Sequence, residues 1–124
     1  MLFWPECAST VKTTLMLDLR PQDLALVLRL AALTLPASVE LWAYGSRVNG
    51  TAHDGSDLDL VLRASDLQEI PSAGLNHFRA ALLESNLPIF ADAHDWAQLP
   101  ASFHERILTR YKVLRPSAAI TVPA

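Results

Sequence analysis

The chain has 124 residues, 51% of them hydrophobic and 19% charged, with a formal net charge of −3. That length predicts one domain able to bury a real core, and the mild acidity argues against a broad nucleic-acid surface, which needs clustered Lys and Arg. A single cysteine, Cys7, excludes an internal disulfide, and no Cys/His spacing suggests a zinc site.

Residues 1–15 fit poorly with the rest of the chain and read as an N-terminal extension, leaving the domain to 16–115 and a Pro-containing tail to 116–124. Val11 to Leu19 alternate, which also allows a short extra strand. Met1 to Thr10 has neither the basic nor the apolar region of a signal peptide, and with the lone cysteine this predicts a reducing cytoplasm. Pro21 suits the first turn of a helix, and Leu24, Val27, Leu28, Ala31 and Leu35 form one apolar stripe before Pro36 stops it. The same stretch is too short for a membrane span, and Arg29 interrupts it. Val39, Leu41 and Ala43 then alternate with Glu40, Trp42 and Tyr44, a strand running into Gly45. A short helix is expected over Ser46 to Gly50, with Gly50 ending it. Asp57 to Arg63 reads as a second strand, with Leu58, Leu60 and Leu62 on one face and Asp57, Asp59 and Val61 on the other. Pro71 opens a helix carrying Leu75, Phe78 and Leu82 to about Asn86, and Pro88 to Asp95 is a third strand. A final helix is expected after Pro100, with Phe103, Ile107 and Leu114 inward and Arg106, Arg110 and Arg115 outward. The order α–β–α–β–α–β–α predicts an α/β (α+β) domain, a small mixed sheet flanked by helices.

Two features point to chemistry. Asp57 and Asp59 project from one strand face, and Gly45-Ser46 upstream forms a turn able to bring backbone N–H groups to a phosphate. Nucleotidyl transfer needs both parts, because two Mg²⁺ ions about 3.5–4 Å apart, held by oxygen ligands, neutralise the triphosphate and the developing charge. Asp57 and Asp59 would hold the metal on the triphosphate and share the second ion. Asp92 would complete that second site and help deprotonate the acceptor hydroxyl; its parity sets it opposite the core-facing Ala91 and Ala93. The Gly45-Ser46 backbone and the Ser46 hydroxyl would position the outer phosphates. Taken alone, an Asp-x-Asp is a solvated strand face, Gly45-Ser46 is a strand-to-helix turn, and Asp92 is an exposed carboxylate. Their combination at this spacing favours the chemical reading. Arg47 suits a phosphate contact or the protein surface about equally. His94 shares Asp92's face, but a lone strand-edge histidine is no basis for a ligand. Asp95 falls on the opposite parity and suits a strand-end cap.

The segment Gly45-Ser46-Arg47-Val48-Asn49-Gly50-Thr51-Ala52, followed by Ser56-Asp57-Leu58-Asp59-Leu60, resembles the signature of minimal nucleotidyltransferases in the DNA polymerase β-like nucleotidyltransferase superfamily. Ala91-Asp92-Ala93-His94-Asp95-Trp96 is similar to the strand carrying that family's third carboxylate, and the resemblance runs from about Met16 to Leu114. His53 and Asp54 depart from the pattern, standing where relatives often carry a basic residue and a proline. The resemblance implies the polymerase β-like fold, Asp57, Asp59 and Asp92 as catalytic metal ligands, and Gly45, Ser46, Arg47 and Ser56 around the nucleotide. It also implies ATP as substrate with two Mg²⁺ ions. Within the superfamily the chain looks most like the stand-alone proteins paired with HEPN-domain ribonuclease toxins. Those act as antitoxins by moving AMP onto a toxin tyrosine, and a domain this small needs a partner to supply the acceptor. Two rivals stand beside this expectation: an antitoxin that masks its partner by contact alone, and a small-molecule nucleotidyltransferase whose partner supplies the acceptor pocket.

Overall fold

The computed structural model describes residues 17–117. The expected extension over 1–15 lies outside the described residues, as does the tail beyond 117. Of the alternating stretch 11–19, only residues 17–19 are described, and they are irregular.

Helix α1 (Pro21–Thr34) begins on its proline, whose fixed φ suits the first helical position. Asp23 in its first turn is buried and takes a two-pronged contact from Arg20 at 2.8 and 2.9 Å. That guanidinium holds the Asp23 carboxyl below its ordinary value. Strand β1 (Val39–Tyr44), the single turn α2 (Ser46–Asn49) and strand β2 (Leu58–Ala64) come next. Helix α3 (Ser72–Glu84) leads to strand β3 (Ala91–Asp95), a 3₁₀ turn (Trp96–Gln98), helix α4 (Ala101–Thr109) and strand β4 (Tyr111–Arg115). β3 is shorter than expected, because Pro88 to Phe90 approach it as a bend.

The sheet order is β3-β2-β1-β4. β1 pairs antiparallel with β2 and β4, whereas β2 and β3 run parallel, so the sheet is mixed. Alternation divides its faces. Leu41, Ala43, Leu58, Leu60, Leu62 and Ala93 meet Val27 and Ala31 of α1 and Leu75, Phe78 and Leu82 of α3 in the main core. The other face buries a smaller cluster of Trp42, Val61, Trp96 and Ile107 under α4 and the 3₁₀ turn. Asp95 belongs to the helix-covered face, where its carboxylate accepts from Ile70 N at 2.8 Å and Ala97 N at 3.1 Å. Among the described residues no helix is long and apolar enough to cross a membrane.

The expected last helix is corrected. It stops at Thr109, Arg110 is extended (φ −161, ψ 110), and Tyr111–Arg115 turns back as an edge strand on β1. Helical spacing of Phe103, Ile107 and Leu114 suggested one long element, but β1 had an unpaired edge and Tyr-Lys-Val-Leu-Arg alternates well enough to fill it. Tyr111 stacks on Trp42 with centroids 4.2 Å apart and planes 12° apart. Arg115, expected outward, instead donates to the carbonyls of Ala31 at 3.2 Å and Pro36 at 2.5 Å.

Candidate active site

β1 ends at Tyr44, and the chain turns at Gly45 with φ +82 and ψ −156, a backbone region that residues with side chains rarely enter. Space forbids a side chain there as well, because a Cβ at position 45 would run into the Asp59 carboxylate. The Gly45 carbonyl then accepts from Val48 N at 3.0 Å and Asn49 N at 2.9 Å, closing α2. Gly50, with φ +83, ends the helix in the left-handed conformation.

Tyr44, Asp59 and Asp92 are register partners across β1, β2 and β3. Laterally paired residues point to the same face of a sheet, and neighbouring strands lie roughly 4.8 Å apart, so the two carboxylates stand side by side. Burial first, then the charges of Asp92 and Asp57, push the Asp59 carboxyl above its ordinary value, while His94 acts in the opposite direction. The Tyr44 hydroxyl is pushed up to about 12, chiefly by burial and then by Asp59 and Asp92, with Arg106 opposing. It is therefore a neutral hydroxyl at physiological pH. Asp57 precedes β2, is exposed, and shares Asp59's parity.

These groups border a cleft of about 400 Å³. Tyr44, Gly45, Asn49, Asp59, Asp92 and His94 line it from the sheet and α2, and Phe103, Arg106, Ile107, Thr109 and Arg110 line it from α4 and its cap. His94 Nε2 lies 3.0 Å from Asp92 Oδ2. The sequence reading set His94 aside, although its shared parity with Asp92 was the available signal. It also missed Tyr44, Asn49, Phe103, Arg106 and Arg110, whose positions depend on strand register and on where α4 packs.

Three residues expected at the nucleotide, Ser46, Arg47 and Ser56, are not among those lining the cleft. The Arg47 guanidinium is buried and donates to the Ser56 carbonyl at 3.0 and 3.1 Å and to the Asp18 carbonyl at 2.9 Å. Longer bonds of 3.4 Å reach the carbonyls of His53 and Asp54. A cation enclosed by carbonyls in this way is not directed at a phosphate; it pins the loop that delivers Asp57. Ser56 braces the same loop by accepting from His53 N at 2.9 Å. Ser46 opens α2, and neither serine lines the cleft.

Among the described residues no three His, Cys, Asp or Glu side chains are gathered tightly enough to enclose a metal ion by themselves. Mg²⁺ in phosphoryl-transfer sites takes one or two carboxylates and fills its remaining positions with phosphate oxygens and water. Asp59 beside Asp92, with Asp57 in electrostatic reach, is a donor set that fits that demand.

Residues 27–118 match the nucleotidyltransferase domain family. The chain is 33% identical over 99 residues to the probable protein adenylyltransferase MntA of Haemophilus influenzae, spanning 80% of this chain and 84% of that protein. Two solved structures share the fold. One is a toxin–antitoxin crystal structure with AMP-PNP (TM-score 0.62, 20% identity, 77% of this chain and 75% of that one). The other is an MntA-HpeT toxin–antitoxin mutant (TM-score 0.61, 18% identity, 77% of this chain and 75% of that one).

Proposed function

Because the chain belongs to the nucleotidyltransferase domain family, we propose that it is an antitoxin that moves AMP from ATP to a tyrosine hydroxyl of a HEPN-domain ribonuclease toxin. The observation that carries this reading is the row of Asp59 and Asp92 in adjacent register, with Gly45 packed against the Asp59 carboxylate. Likeness to a protein named as an adenylyltransferase, and to toxin–antitoxin folds of which one holds AMP-PNP, supports the choice of donor and partner. A cytoplasmic setting, consistent with the single cysteine, belongs to the same proposal.

Asp57 and Asp59 would hold the Mg²⁺ on the triphosphate, and Asp59 and Asp92 the second ion. When bound, the cations neutralise phosphate charge and ease ionisation of the acceptor hydroxyl. The Gly45-Ser46 turn would set the nucleotide against the carboxylate row, and Gly45's missing side chain leaves the room that the Asp59 carboxylate occupies beside that turn. Asp92 takes the acceptor's proton, and His94, 3.0 Å from its carboxylate, orients it. The acceptor oxygen bonds to the α-phosphorus and pyrophosphate departs opposite.

The test is transfer of label from ATP labelled at the α-phosphate to the purified partner toxin in Mg²⁺. Wild type should label the toxin, and Asp59→Asn or Asp92→Asn should lower the rate by about a thousandfold, the worth of several kcal/mol of charge stabilisation. No label with wild type overturns the proposal. Toxin neutralisation that survives in both variants would instead support masking by contact, and labelling of a small hydroxyl compound in place of the toxin would support the small-molecule alternative.

A further inference from the structure

The cleft has two walls of opposite charge. Its sheet wall carries Asp59 and Asp92, with Asp57 in electrostatic reach. Its other wall is the end of α4, where Arg106 occupies the last turn and Arg110 is the cap. Arg106 lines the cleft from the helix, and Arg110 lines it from the extended residue that follows the helix. Both are exposed, and among the described residues neither has a carboxylate partner at ion-pair distance. The Arg106 guanidinium carbon lies 5.3 Å from the centre of the Phe103 ring, so the side chain is held against the wall. Its charge acts on the Tyr44 hydroxyl against Asp59 and Asp92, so all three share one electrostatic space.

Two basic residues at a helix C-terminus also suit the helix dipole. That account asks only for charge near the last carbonyls. It does not ask that both side chains border the cleft.

A nucleoside triphosphate repels the carboxylate wall and reaches it only through cations. The α4 wall can hold it directly, because guanidinium groups match phosphate oxygens in two-pronged contacts. We propose that Arg106 and Arg110 grip the two phosphates that are not transferred, so that α4 forms the leaving-group side of the site. This deepens the nucleotidyl-transfer reading and rests on it. The outer phosphates lie between α4 and the Gly45 turn, with Asn49 bordering the same space. As the acceptor oxygen bonds to the α-phosphorus and its proton passes to Asp92, the bond to the β-phosphate oxygen breaks. That oxygen keeps the electron pair, and the arginines offset its new charge.

The experiment is calorimetric titration of ATP, AMP and pyrophosphate into the purified full chain with Mg²⁺, for wild type, Arg106→Ala, Arg110→Ala and the corresponding Lys variants. Each Ala variant should bind ATP roughly 10- to 100-fold more weakly, the worth of a charge-assisted hydrogen-bond pair. Pyrophosphate should weaken in parallel, AMP should stay unchanged, and Lys should restore part of the loss. Unchanged ATP affinity in both Ala variants overturns the assignment, whether or not melting temperature falls. Equal weakening of ATP and AMP also overturns it, by moving the contact to the nucleoside or α-phosphate. A wild type that binds neither ATP nor pyrophosphate defeats the underlying nucleotidyl-transfer reading, a result distinct from the other two.

Discussion

Gly45 and Asp59 constrain each other. The glycine's φ of +82 is costly for any residue with a side chain, and the space a Cβ needs is taken by the Asp59 carboxylate. Gly45→Ala should therefore lower stability by about 1–3 kcal/mol and abolish AMP transfer, read by thermal melting and label incorporation. Asp59 carries the opposite balance. Burial and the neighbouring Asp92 and Asp57 charges raise its pKa, so the native state holds that proton more tightly than the unfolded chain does. Stability then falls as pH rises from the ordinary carboxylate range through the raised value, and the penalty is complete above it. In metal-free buffer at neutral pH, Asp59→Asn should melt a few degrees above wild type while losing transfer. Acidification should close the gap, and melting curves that coincide at both pH values would refute the argument.

Among the elements, the boundary between α4 and β4 carries the most consequence. A helix continued to Arg115 would point that guanidinium to solvent, where truncation changes little. As a strand, β4 brings it to the carbonyl of Ala31 in the last turn of α1 and to that of Pro36 just beyond the helix. Arg115→Ala should therefore cost about 1 kcal/mol, measured by urea denaturation; a silent substitution would argue against the strand. At the far end of the sheet, Asp95 joins β3, the 3₁₀ turn and the loop before α3 through its bonds to Ala97 N and Ile70 N. Removing that carboxylate orphans a buried N–H, so Asp95→Ala should destabilise by about 2 kcal/mol, and a loss well below that would show the bonds to be dispensable.

For the molecule as a whole, the two sheet faces do different work. One is sealed by α1 and α3. The other is sealed only where Trp42, Val61, Trp96 and Ile107 meet, leaving the row of Tyr44, Asp59 and Asp92 on an open cleft. Like carboxylates side by side, one of them half-buried, repel each other across the strands. Binding that relieves this repulsion should stabilise the whole domain. Mg²⁺ with a non-hydrolysable ATP analogue at a hundredfold excess over Kd should add about 2.7 kcal/mol to the unfolding free energy. EDTA should remove most of that gain, and in Asp59→Asn the Mg²⁺-dependent share should be missing.

Local order made much of this legible. Apolar spacing at 3.6 or 2 residues marked α1, α3 and the first three strands, since each period reports which face meets a core. Parity alone set Asp57 with Asp59, and Asp92 with His94. The Gly45-Ser46 turn and the carboxylate pair were visible as a motif because their chemistry lies within fifteen residues of chain. What the sequence could not carry was lateral position. The register that lines up Tyr44, Asp59 and Asp92 comes from pairing between distant segments. The conversion of 111–115 from helix to strand was decided by an unpaired edge on β1, not by propensity. Arg47 was claimed by loop carbonyls, and Arg106 and Arg110 reached the cleft through where α4 packs. Periodicity fixes the face a side chain takes on its own element; only the folded arrangement decides what stands opposite it.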